Sequence, residues 1–122
     1  MALFPATGGG DNITVGVEQK IGTYTVNGTT YTKYRKIIQG TVNFPTGATT
    51  ATIAHGITGL NRIISAGACL KRPDGLYFPV PFISAGGINV SVGMYIDSTV
   101  VTFTSPDRNH NGDDALITIE YY

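Results

Sequence analysis

Residues 88–97 and 115–122 carry apolar side chains on every second position, and this period of two constrains the fold more than any other feature of the chain. In the first run Ile88, Val90, Val92, Met94 and Ile96 alternate with Asn89, Ser91, Gly93, Tyr95 and Asp97. In the second, Ala115, Ile117, Ile119 and Tyr121 alternate with Leu116, Thr118, Glu120 and Tyr122. Successive side chains of a strand point to opposite faces, so each run predicts a half-buried strand with one wet face.

The rest of the chain repeats that pattern in shorter pieces. Residues 13–18 alternate, and residues 22–26 and 29–36 flank Asn27-Gly28, a pair suited to a tight hairpin turn because both central positions need positive φ. Strand continues over 37–44 to Pro45-Thr46-Gly47, and 48–55 alternates up to Gly56. The run 62–70 reads RIISAGACL, apolar or small on both faces, which predicts an inner strand closely covered on both sides. Residues 76–82 carry Pro79 and Pro81, which confines them to a sheet edge. With 100–104 added, about nine short strands at regular spacing predict an all-β fold, an antiparallel β-sandwich or jelly-roll-like single domain over 13–122. No segment combines the residues that favour a long helix.

A chain of 122 residues holds one such domain. Eight Lys/Arg balance eight Asp/Glu, and charged residues make up only 13%. That balance argues against a general nucleic-acid binder, and it removes the usual attraction to anionic membranes. No apolar stretch reaches the roughly 20 residues of a membrane-spanning helix. The opening MALFPATGGGD lacks a basic region and is broken by Pro5, unlike a secretory signal. Residues 1–12, with three consecutive glycines, read as a flexible anchor segment outside the domain, with Leu3, Phe4 and Pro5 as docking contacts.

A search for chemistry returns little. Cys69 is the single cysteine, so no internal disulfide forms; in its apolar run it reads as a small core hydrophobe with a raised thiol pKa. His55 and His110 stand half a chain apart, too few ligands for zinc, and His55 reads as a strand-end residue bonded to backbone. Asp107, Asn109, Asn111 and Gly112 have the spacing of a calcium loop, but Thr118 holds the position of its terminal glutamate, and a polar hairpin loop is the plainer reading. The cluster Tyr31-Thr32-Lys33-Tyr34-Arg35-Lys36 interleaves rings and cations, yet on a strand of a neutral chain it reads as a solvated or interface face. No Gly-x-Ser-x-Gly elbow or phosphate loop occurs, so the chain is expected to be no enzyme and to need no cofactor or metal. Two polar loops, 71–75 and 105–114, are the candidates for recognition. Lys71, Arg72 and Asp74 in the first, and Asp107, Arg108, Asn109 and His110 in the second, offer donors and acceptors to a glycan.

Several segments together resemble a known family. Tyr34-Arg35-Lys36-Ile37-Ile38 precedes a Pro/Gly turn, a Thr-rich strand runs into Ala54-His55-Gly56-Ile57, Arg62-Ile63-Ile64-Ser65-Ala66-Gly67 follows, and Leu116-Ile117-Thr118-Ile119-Glu120-Tyr121 closes the chain. Over residues 34–122 this resembles the C-terminal β-domain of bacteriophage tail-fibre, receptor-binding and head-fibre proteins. The resemblance implies a compact β-domain, made in the host cytoplasm and displayed on the virion surface as a homotrimer. It would be joined to other virion proteins through the N-terminal segment, and it implies no catalytic residues. The family places this domain behind a long shaft, whereas only about 33 residues precede it here. A host cell-surface glycan is the expected outward partner, and neither nucleic acid nor membrane insertion is expected. A free carbohydrate-binding β-sandwich module is the alternative; such modules are usually exported and rich in Trp, and this chain has none.

Overall fold

The computed structural model describes residues 14–84 and 89–122. Eight strands form two antiparallel sheets: β1 (Gln19–Val26), β2 (Thr29–Thr41), β3 (Thr50–Ala54), β4 (Ile63–Lys71), β5 (Tyr77–Val80), β6 (Gly93–Ile96), β7 (Val100–Thr104) and β8 (Asp114–Tyr121). The larger sheet runs β1-β2-β8-β4-β5 and the smaller β3-β7-β6. No described residue is helical. The fold is all-β and sandwich-like.

Alternation explains the core. Ala115, Ile117, Ile119 and Tyr121 of β8 are buried, as are Ile38 of β2, Leu70 of β4 and Phe78 and Val80 of β5. These meet Ala51, Val101 and Phe103 of the smaller sheet in one hydrophobic cluster. The close approach of the sheets depends on Gly40, because the Ile53 side chain lies 3.1 Å from where a Cβ would stand. The β1–β2 hairpin turns at Asn27 and Gly28, both at positive φ as a type I′ turn requires. The proline-bearing β5 lies at a sheet edge, where a missing N–H breaks no ladder.

Three expectations need correction. Residues 14–18 form a turn rather than a strand: Gly16 takes φ 83°, its N–H bonds Ile37 O at 2.7 Å, and Val15 and Val17 stay exposed. Of the run 88–97, Ile88 lies outside the described residues, and 89–97 is strand only over β6, with one bridge from Val92 to Phe82. Before it, Asn89 Oδ1 accepts from Ser91 N and Ser91 Oγ accepts from Ser84 N, side-chain bonds that replace the ladder. The inward set Val90, Val92, Met94 and Ile96 still packs on the core. Strand β4 is internal, but only its inner face is covered. Leu70 points into the core while Ser65 and Lys71 are exposed, and Cys69 is a half-buried residue of the outer face, not of the core.

Candidate functional site

Pairing of Lys71 with Asp114 across β4 and β8 brings both polar loops to one end of the sandwich. The shorter loop is closed by its own backbone and by Asp74. Gly75 N donates to Arg72 O, Arg72 N donates to Leu76 O, and Asp74 Oδ1 accepts from Leu76 N at 3.1 Å. Arg72 lies over the Phe78 ring and 3.6 Å from Asp74. Lys71 and Asp74 are exposed.

The longer loop turns its polar groups inward. Arg108, at φ 56°, donates from Nη2 to Phe44 O at 3.1 Å. Asn111 Oδ1 accepts from Phe44 N at 2.8 Å, and Asn109 Nδ2 donates to Asn89 O. His110 is 0% exposed, with Nδ1 2.7 Å from Asp113 Oδ2 and Nε2 2.7 Å from Val90 O. Both its nitrogens are thus taken up by buried partners. The ring also packs edge-on against Phe78. His110 therefore presents nothing to solvent, Arg108 and Asn109 are tied to neighbouring backbone, and Asp107 is exposed. The calcium spacing is likewise taken apart, since Asn109 and Asn111 bond two different stretches of backbone.

His55 is buried at the end of β3, as its sequence context predicts. Its Nδ1 accepts from Ile57 N at 3.1 Å, which assigns the proton to Nε2, the donor to Asp97 O at 2.9 Å. Among the described residues no group of three or more His, Cys, Asp or Glu is placed to hold a metal ion. Leu3, Phe4 and Pro5 lie outside the described residues.

Two outward surfaces stand out on the five-stranded sheet. At the loop end, the outer side chains of β2, β8, β4 and β5 frame a hollow of about 340 Å³ lined by Gln39, Cys69, Lys71, Tyr77, Asp114 and Leu116. Register explains the grouping: Gln39, Leu116 and Cys69 stand opposite one another, and so do Asp114, Lys71 and Tyr77. Gln39 Nε2 donates to both carboxylate oxygens of Asp114, at 3.2 and 3.1 Å. The Lys71 ammonium lies 5.6 Å from the centroid of the Tyr77 ring, which is 62% exposed. Sequence reading singled out Lys71 but missed the rest, because the signal lies in cross-strand register rather than along the chain.

At the opposite end, β1 and β2 run on as a two-stranded arm. Strand β8 pairs with β2 only from Tyr34 onward, so Thr29 to Lys33 have β1 alone as a ladder partner. On this arm Tyr24 stacks with Tyr122 at a centroid distance of 5.3 Å, and Tyr31 meets the same ring tilted, at 4.6 Å. Comparison of the chain with family models, with curated proteins and with solved structures gives no match.

Proposed function

We propose that the chain is a bacteriophage virion structural protein, a trimeric fibre-like appendage or capsid decoration protein. Its N-terminal segment holds it to the particle and its β-domain faces outward, toward the host cell surface. It acts by binding, not by catalysis. The observation that carries this reading is the β1–β2 arm. A two-stranded ribbon is marginal by itself in water, and its free edges are templates for another chain. This one carries exposed Tyr24 and half-buried Tyr31 on a molecule with no net charge to keep copies apart. Cover from two further copies would bury those rings and edges, and would leave the loop end pointing away. Mass spectrometry of purified particles tests the reading: the chain is expected among the virion proteins, in a copy number divisible by three. Its absence from particles contradicts the proposal. A free carbohydrate-binding module is the second reading, favoured by the exposed Tyr77 ring beside Lys71 and Asp114. A monomer that binds glycan and never appears in particles would select it.

A further inference from the structure

We propose that the hollow framed by Gln39, Lys71, Tyr77 and Asp114 on the outer face of the five-stranded sheet is a binding site for an uncharged saccharide. This deepens the host-attachment part of the function proposed above and rests on it.

The argument starts from the mixture of groups. A pyranose ring offers apolar C–H faces and a rim of hydroxyls, each both donor and acceptor. Its site therefore needs an aromatic or apolar surface beside fixed donors and acceptors, with no large net charge. The hollow supplies each of these. Tyr77 offers a broadly exposed ring, and Leu116 and Cys69 add apolar lining. The Asp114 carboxylate has about four acceptor positions, of which Gln39 uses two. Lys71 stands directly opposite Asp114 in register, where an ion pair would be the ordinary outcome on a bare surface. Its ammonium lies instead over Tyr77, so the carboxylate and the ammonium face the hollow as separate acceptor and donor.

Charge selects the class of ligand. One carboxylate and one ammonium leave the hollow neutral, so a phosphate, sulfate or uronate gains little there. The volume, about 340 Å³, falls at the small end of the range of roughly 300–1,000 Å³ seen for small-molecule sites. The groups also sit on four hydrogen-bonded strands rather than on a loop, and Gln39 fixes the carboxylate before any ligand arrives.

Cys69 makes the proposal testable, because the only thiol of the chain lines the hollow. Alkylation of Cys69 by iodoacetamide is followed on the full chain while methyl glucoside, methyl galactoside, methyl mannoside and N-acetylglucosamine are titrated separately. Glucuronate and inorganic phosphate serve as charged probes. Protection by a bound ligand grows as 1 + [L]/Kd, so at ten times Kd alkylation slows about tenfold. At least one neutral sugar is expected to reach that protection with saturation, and the charged probes are expected to fall short of it. Tyr77→Ala and Asp114→Asn, each compared with its own unliganded rate, are expected to lose the protection while keeping the melting temperature. The proposal is overturned if no neutral sugar protects Cys69, if the charged probes protect as well, or if both variants remain protected. Particle association is read independently. A chain found in virions whose thiol no sugar protects sinks the hollow alone, and a protected thiol on a chain missing from virions sinks only the appendage.

Discussion

The two ends of the sandwich solve the same problem in opposite ways. Each must dispose of backbone and polar groups where the sheets stop. The loop end closes on itself: Arg108 holds Phe44 O, Asn111 holds Phe44 N, and His110 bridges Asp113 and Val90 O within the core. The other end stays open. There the β1–β2 arm passes the last residue of β8, with Tyr24 exposed and Tyr31 half-buried beside Tyr122. The Tyr121 hydroxyl donates to Glu18, tying the chain entering the arm to the sandwich. A closed end stabilises the chain by itself, and the open one is the surface on which the proposed trimer rests. Substitutions at the two ends should therefore fail in different ways.

The largest effect is expected at His110. Replacing it with Ala leaves Asp113 buried, 1% exposed, without its partner, and breaking such a pair costs about 3–5 kcal/mol. Urea denaturation should show that loss, a large share of the roughly 5–15 kcal/mol that holds a domain together. A loss below about 1 kcal/mol would mean the loop end is not closed from within.

Next comes the tie at the open end. Tyr121→Phe removes the bond to Glu18 and is expected to cost about 1–2 kcal/mol at neutral pH. Burial, then the bond to Glu18 and its charge, push the Tyr121 hydroxyl well above the usual tyrosine pKa. The folded state thus keeps this proton to higher pH than the unfolded chain does. Stability is intact below about pH 10 and falls as pH climbs beyond it. Thermal melts of the wild type should show this alkaline decline, and Tyr121→Phe should lessen it.

A smaller contrast separates the two polar loops. Arg108→Ala loses the bond to Phe44 O and is expected to cost about 1–2 kcal/mol, whereas Asp74→Ala in the exposed turn stays within about 1 kcal/mol. Equal effects by denaturation would erase the distinction between a loop pinned to distant backbone and one closed only on itself.

That distinction marks the limit of what the sequence made legible. Alternation in 115–122 and the Asn27-Gly28 turn made the central strand β8 and the separate β1–β2 hairpin legible, since both depend only on neighbours along the chain. The edge position of β5 followed from Pro79 and Pro81 for the same reason. The direction of the 105–114 side chains was hidden, because Arg108, Asn109 and His110 are as polar when they bond buried carbonyls as when they face water. Their partners Phe44, Asn89 and Val90 are distant in sequence. The hollow was hidden for a related reason: Gln39, Lys71, Tyr77 and Asp114 come from four strands and meet only through register. Cys69 was misplaced because RIISAGACL is small on both faces, and nothing in its composition says which face meets the second sheet.

Sedimentation velocity of the purified chain at micromolar concentration tests most directly whether the open end is an assembly surface. Wild type is expected to sediment as a trimer. The double variant Tyr24→Glu/Tyr31→Glu is expected to sediment as a folded monomer, because neither ring belongs to the core. A wild-type chain that remains monomeric under these conditions, or a trimer that survives both substitutions, would contradict the account.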